Sequence, residues 1–364
     1  PVACLEFLSR RAVLKLLISP SLGFGECYSQ GLIEVHGDFL TFLNEVTAAI
    51  TRKNARNYHL PRLQSSWYAL RRNSPGRSKH NAHHHYDLNN DFYRLWLDKR
   101  LVYTCAYYDT PDATLEKAQV AKIDHVCRKL DLKPGQTVVE AGCGWGALAM
   151  HMAEHYGVDV KAYNISRAQV GWAREQAAAR GLDTRVEFIL GDYRKIDQRC
   201  DRFVSVGMLE HVGRANYRVL GELAGRYLKP EGLALIHTIG RSHPKKTDAW
   251  IRKYIFPGGH IPSLSEMMTV FEPSRFTVLD VENLRLHYAR TCAAWLANFE
   301  AVADQVSEMY SEEFSRMWRL YLAGSSAGFE SGTLQLYQVV FAHGTNNKVP
   351  MTREYQYHGS TGSD

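Results

Sequence analysis

The stretch that most constrains this chain is Val138-Val139-Glu140-Ala141-Gly142-Cys143-Gly144-Trp145-Gly146. An apolar run ends in an acid, a glycine-rich turn follows, and a helical pattern then runs over 147–156. That order predicts a strand, a tight turn and a helix N-terminus. Glycines let the backbone approach a ligand where a Cβ would collide. Glu140, at the strand end, can accept hydrogen bonds from ligand amine or hydroxyl groups. An ordinary strand-to-helix turn also carries glycines. The spacing here, however, is E-x-G-x-G-x-G rather than the G-x-G-x-x-G of a dinucleotide site, and no Lys-Ser or Lys-Thr follows as in a P-loop. An acid directly before the glycines suits a cationic, amino-acid-bearing ligand better than a pyrophosphate. S-adenosylmethionine is therefore preferred to NAD.

From residue 136 the pattern alternates. Strands are expected at 136–141, 158–164, 186–192, 200–209 and 232–240, with helices at 145–156, 166–180 and 215–228 between them. Such alternation predicts βαβ units, a mostly parallel sheet and right-handed crossovers. A ligand should then lie at the carboxyl ends of the strands. The residues to watch are those just past each strand: 142–146, 164–166, 191–193, 210–211 and 237–240. Asp192, after the third strand, is a candidate partner for an adenine amino group. Strands at 276–284 and 334–341 complete the set. The helices expected at 289–303 and 311–323 fall between them, where they would cover the ligand end of the sheet.

The first 50 residues read as helical, ahead of a connector with a possible helix at 63–71. Between Val46 and Tyr86 there is no acid, but there are eight Lys or Arg residues interleaved with Trp67, Tyr68 and Leu70. That mixture suits an anionic surface, either phospholipid head groups or nucleic acid, and it is equally the composition of a solvated linker. His83, His84 and His85 invite a metal reading. Adjacent histidines on an extended segment face opposite ways, however, so no metal site is assigned. Seven scattered cysteines without a C-x-x-C pair indicate reduced thiols. No apolar run reaches the roughly 20 residues needed to span a bilayer. Glu6, Arg10 and Arg11 interrupt the apolar start, so no signal peptide is expected. The polar tail from Asn346 is expected to be disordered.

Several motifs occur in one order: His85-Tyr-Asp87, Tyr103-Thr-Cys-Ala-Tyr107, the turn at 140–146, Gly207-Met-Leu-Glu-His-Val-Gly213, His237-Thr-Ile-Gly240 and Trp250-Ile-Arg-Lys-Tyr-Ile-Phe-Pro-Gly-Gly259. Together they resemble the cyclopropane-fatty-acyl-phospholipid synthases, relatives of the mycolic acid cyclopropane synthases. The likeness runs from about residue 14 to 341. Gly23-Phe-Gly-Glu-Cys-Tyr28 also resembles the N-terminal domain of the bacterial phospholipid enzymes.

The resemblance implies an α/β class I S-adenosylmethionine-dependent methyltransferase. Its Rossmann-like sheet would have seven mostly parallel strands, preceded by a small helical N-terminal domain. The expected divisions are a lipid-binding domain at 1–72, a basic, His-rich linker at 73–85, a catalytic domain at 86–344 and a tail at 345–364. The implied substrate is a cis-unsaturated acyl chain of a membrane phospholipid. Its alkene takes the activated methyl group and becomes a carbocation, and a bound bicarbonate removes a proton as the ring closes.

The resemblance places the bicarbonate pocket on Cys105, Glu210, His237, Ile239 through its backbone, and Tyr288. Tyr254 and Tyr217 stand as substitutes for the last. Cofactor contacts are expected from Tyr103, Thr104, Glu140, Gly142, Gly144, Gly146, Asn164, Ser166, Gln169, Asp192 and Tyr193. Cys143 is read as structural.

Two places depart from the family pattern. Ser325 stands where a late cysteine is common, so a thiol-based covalent route there does not apply. Asn164 and Ala168 replace the usual Thr and Glu after the second strand. The expected setting is a bacterial cytoplasm, with peripheral attachment to the inner face of the plasma membrane. A homodimer and an anionic membrane partner are expected, and nucleic acid is not. The rival readings are a lipid methyltransferase making branched chains, a methyltransferase of nucleic acid or a small molecule, and an inactive lipid-binding module.

Overall fold

The computed structural model describes residues 3–56 and 88–358. The helix expected at 63–71, most of the basic connector and His83, His84 and His85 lie outside them.

The alternating segment forms β3 (Thr137–Ala141), α6 (Ala147–Tyr156), β4 (Asp159–Asn164), α7 (Arg167–Ala179), β5 (Val186–Leu190) and β6 (Cys200–Val206). It continues with α8 (Leu209–Val212), α9 (Tyr217–Tyr227), β7 (Leu228–Gly240), α10 (Leu264–Phe271) and β8 (Phe276–Asn283). Helices α11 (Arg285–Glu300), α12 (Ala303–Met309) and α13 (Glu312–Glu330) then lead into β9 (Gln335–His343). The seven strands lie in the order β5-β4-β3-β6-β7-β9-β8. β3 to β7 are parallel, and β9 runs antiparallel to both its neighbours. This is the expected class I methyltransferase sheet. Val138, Val139 and Ala141 are all buried, as a sheet covered on both faces requires.

Three boundaries differ in ways that matter for the site. β6 ends at Val206, because Gly207 turns the chain at φ +69° with the Thr104 methyl 2.8 Å from where a Cβ would stand. Glu210 therefore sits on the one-turn helix α8 rather than at a strand end. β7 runs from Leu228 to Gly240, so His237 lies within the strand rather than just past its end. Tyr288 belongs to the first turn of α11 instead of preceding a helix. That turn is closed early, by Asn283 Oδ1 accepting from the Arg285 amide at 3.0 Å.

The N-terminal unit is not wholly helical. α1 (Arg10–Ile18), α2 (Pro20–Ser29) and α3 (Phe39–Arg56) accompany an antiparallel pair, β1 (Ala3–Phe7) and β2 (Ile33–Gly37). The unit seats on α13. The Arg316 guanidinium donates to Tyr28 O at 2.7 Å and Ile33 O at 3.0 Å, and lies over the Tyr28 ring. Glu26 of α2 takes Lys253 at 2.7 Å and the Tyr254 hydroxyl at 3.0 Å.

The tail is also ordered from Asn346 to His358. Ahead of the sheet lie α4 (Asn90–Arg94) and α5 (Leu115–Lys129), and a short helix, α14 (Tyr355–His358), docks beside α5. Arg353 bonds Asp280 at 2.6 Å, Arg128 donates to Gln356 O at 3.0 Å, and Gln356 is buried. Polar contacts anchor this segment, so its composition conceals the docking.

Candidate active site

The cleft opens at the carboxyl ends of β3, β4 and β6, as the topology demands. The three glycines of the turn divide the work. Gly142 and Gly146 have φ of +87° and +83°. A Cβ on Gly146 would stand 2.5 Å from the Phe188 ring, so this glycine serves packing. Gly144, at φ +54°, has nothing within 4 Å of its Cβ position. It lines the cleft and leaves a cradle that a side chain would fill.

Glu140 is buried at the floor of the cleft, with Oε2 unpartnered among the described residues. Burial lifts its pKa to about 8, against the pull of the Lys122 charge. Lys122, on α5, lines the same cleft and donates to Thr104 Oγ1 at 2.9 Å. Burial lowers its pKa to about 8. On the other wall, the Asn164 side-chain amide donates to Gly144 O at 3.0 Å and Gln169 Oε1 at 2.7 Å. Asn164 thus ties the glycine turn to α7. An unpaired buried carboxylate oxygen, an open glycine cradle and neighbouring amide groups fit an amino-acid-bearing, nucleoside-like ligand such as S-adenosylmethionine.

Behind the cleft lies a second, drier centre. Glu210 Oε1 accepts from the Ile239 amide at 2.6 Å, and Oε2 is buried without a partner among the described residues. Burial raises this carboxyl to about 7. His237 lies two residues before Ile239, on the same face of β7. Its Nδ1 meets Gln338 Nε2 at 3.1 Å, and its Nε2 is buried without a partner among the described residues. Burial, reinforced by the Lys122 and Lys129 charges, drives its pKa far down, so the ring is neutral.

Cys105 is fully buried, and its thiol pKa is pushed well up by desolvation, which leaves it protonated. It points at the Ala106 and Leu284 carbonyls, at 3.1 and 3.9 Å. Leu284 O also receives the Tyr288 amide at 3.1 Å, which brings Cys105 to the start of α11. Aromatic rings surround this centre. Tyr288 stacks on Phe329 at 4.4 Å, Tyr103 lies 5.3 Å from Trp295, and the Tyr103 hydroxyl donates to that of Tyr321 at 2.8 Å. Helices α11 and α13 therefore do cover the ligand end of the sheet.

Of the residues expected to touch a cofactor, Tyr103, Thr104, Glu140, Gly142, Gly144, Asn164, Gln169, Asp192 and Tyr193 line the cleft. Gly146 and Ser166 do not. Ser166 is the N-cap of α7, accepting from the Gln169 amide. Asp192 is engaged by Arg194 through two bonds of 2.7 Å. Sequence reasoning missed Lys122 and Gln338. A lysine on an amphipathic helix reads as solvated, and a glutamine in a strand carries no signal of its own. Cys143 lines the cleft as a buried, protonated thiol.

A family model described as "Mycolic acid cyclopropane synthetase" matches residues 73–339. The chain is 38% identical to the cyclopropane-fatty-acyl-phospholipid synthase of Escherichia coli K12, over 93% of this chain and 87% of that protein. It is 36% identical to cyclopropane mycolic acid synthase 1 of Mycobacterium tuberculosis, over 71% of this chain and 95% of that one. Among solved structures, mycolic acid cyclopropane synthase CmaA1, complexed with SAH and CTAB, superposes with a TM-score of 0.68 at 34% identity. That match covers 72% of this chain and 97% of the other. With the sheet order and cleft already pointing the same way, the chain belongs to the mycolic acid cyclopropane synthetase family and is an enzyme with the S-adenosylmethionine-dependent methyltransferase fold.

Proposed function

We propose that this enzyme adds a methylene bridge across the cis double bond of an unsaturated phospholipid acyl chain. Bicarbonate serves as the base, held by Cys105, Glu210, His237, the Ile239 backbone and Tyr288. The observation that carries the reading is the pair of buried atoms without a partner among the described residues, Glu210 Oε2 and His237 Nε2. A buried polar atom without a partner is costly unless a ligand completes it. Bound S-adenosylmethionine supplies a methyl group electrophilic enough for an alkene. The chain's own residues do the rest. The rings of Tyr103, Tyr288 and Trp295 exclude water and offer π faces to a developing cation. Neutral His237 and the protonated thiol of Cys105 can donate to an oxyanion. The raised pKa of Glu210 lets it hold or release a proton near neutrality.

Attachment to an anionic bilayer is part of the same proposal. Among the described residues no helix is long and apolar enough to cross a membrane. α1 exposes Leu14, Leu17 and Ile18 beyond Arg10 and Arg11, a mixture that suits the boundary between head groups and acyl chains. The same reading includes an N-terminal lipid-binding part, a catalytic part and a homodimer. A second reading, a methyl-branched product from the same carbocation, draws support from a relative. The chain is 39% identical over 286 residues to a protein of Pseudomonas putida named "Probable fatty acid methyltransferase".

The test is product mass. The protein is incubated with vesicles of cis-monounsaturated anionic phospholipid, labelled S-adenosylmethionine and bicarbonate. A saturated, ring-bearing chain one CH₂ heavier is expected, with turnover lost when bicarbonate is removed and regained when it is restored. A methylated chain that keeps its double bond would select the branched product. No transfer despite cofactor binding would refute the lipid assignment. Glu210→Gln should lower turnover by about 100-fold or more while leaving cofactor affinity unchanged.

A further inference from the structure

Gln338 sits fully buried in the middle of β9, between Tyr337 and Val339. Strand register pairs it with His237 on β7 and with Glu282 on β8. Directly opposed residues of neighbouring strands point to one face, so the three side chains form a polar row across the sheet. Beyond the row, Glu282 Oε2 contacts His125 Nε2 at 2.7 Å and Lys129 Nζ at 2.5 Å, and both of those side chains are fully buried. A glutamine in a strand of Val339, Val340 and Phe341 costs desolvation. Nothing in the chemistry above uses it.

Its contact with His237 shows what it does. The Gln338 amide nitrogen lies 3.1 Å from His237 Nδ1, and because an amide N–H can only donate, Nδ1 is the acceptor. An imidazole nitrogen that accepts carries no proton, so a neutral ring must carry its proton on Nε2. Nε2 is the ring atom with no partner among the described residues. Burial, with Lys122, Lys129 and His125 nearby, holds the ring in its neutral form against the pull of Glu282.

We propose that Gln338 is a positioning residue, holding His237 in the Nε2–H tautomer so that the site donates a hydrogen bond to a small oxyanion. This rests on the assignment of His237 to the bicarbonate pocket. It has a chemical consequence. His237 orients the base and is not itself the base, since its only free nitrogen already bears a proton.

The experiment is ¹⁵N NMR of the full chain labelled at histidine, with S-adenosylhomocysteine bound. The His237 signals are identified by their loss in His237→Asn. The expected spectrum has the unprotonated nitrogen at Nδ1. Gln338→Met keeps the length and removes the donor, so a protonated Nδ1 population should appear. The bicarbonate concentration for half-maximal turnover should rise about tenfold or more, as expected from losing one hydrogen bond to an anion. Gln338→Leu repeats the measurement should the methionine variant fail to fold. A wild-type proton on Nδ1, or an unchanged ring in both variants, overturns the proposal. Full bicarbonate-dependent turnover in His237→Asn overturns the site assignment instead, whatever the tautomer.

Discussion

Glu140 shows how one buried side chain can be unfavourable in the empty protein and useful in the loaded one. Burial lifts its pKa from the usual 4.5 to about 8. The folded state therefore binds this proton more tightly than the unfolded chain does. Its contribution to stability is full below pH 4.5 and is lost as the pH rises through about 8. Glu210 acts with the same sign, up to about 7. Glu282, lowered to about 2 by His125 and Lys129 despite burial, acts oppositely: its contribution is full above pH 4.5 and is lost as the pH falls through about 2. In the ligand-free protein, Glu140→Gln should melt above the parent near about pH 9, with the gap closing toward about pH 5. The same variant should bind S-adenosylhomocysteine more weakly by about 1–3 kcal/mol, the cost of a lost hydrogen bond to a charged group. Scanning calorimetry and titration check both halves. A melting gap that widens toward acid would show that Glu140 is ionised throughout.

Among the elements, the β3–α6 turn separates structure from binding within five residues. Ala at Gly146 must adopt φ +83° and press on Phe188, so Gly146→Ala should cost more than about 2 kcal/mol of stability. Ala at Gly144 meets no neighbour, so Gly144→Ala should cost about 1 kcal/mol for its backbone alone. Its larger effect should be on cofactor affinity, because the methyl group points into the cleft. Denaturant unfolding and ligand titration separate the two, and normal binding by Gly144→Ala would remove this turn from the site. The turn was legible in the sequence because every determinant of it is local. The ends of β6 and the start of α11 were not. Gly207 turns at φ +69° where a Cβ would press on the methyl of Thr104, a residue 103 positions earlier. β1 and β2 were likewise missed, since Cys4 finds its partner at His36, across two intervening helices.

At the scale of the whole molecule, Arg316 joins the N-terminal unit to the helices that cover the site. It donates to the backbone carbonyls of Tyr28 and Ile33 and pairs with Glu34 at 3.0 Å, and Arg319 adds a contact to the Tyr28 hydroxyl at 3.3 Å. Arg316→Ala should destabilise this junction by about 2–3 kcal/mol, as expected for charge-assisted bonds to partly buried carbonyls. Hydrogen exchange should then quicken in α2 and β2 while β3 to β7 stay protected. Uniform quickening across the sheet would mean that the two parts unfold as one. Because α13 also carries Tyr321, which meets Tyr103 and Phe256, loosening the junction should lower turnover more than cofactor affinity.

The sequence by itself determined the parallel βαβ core, the glycine turn at its first strand and the clustering of functional groups beyond the strand ends. Those features follow from periodicity and from glycine's backbone freedom, both of which act over a few residues. The motifs around Cys105, Glu210 and His237 were visible as patterns, but not the carboxyl and imidazole atoms left without partners. Only the tertiary structure decided that Lys122 lies in the cleft, that Gln338 faces His237 and that the polar tail docks on α5. Periodicity says which face a side chain takes, whereas its pKa and its role depend on what another part of the chain places opposite.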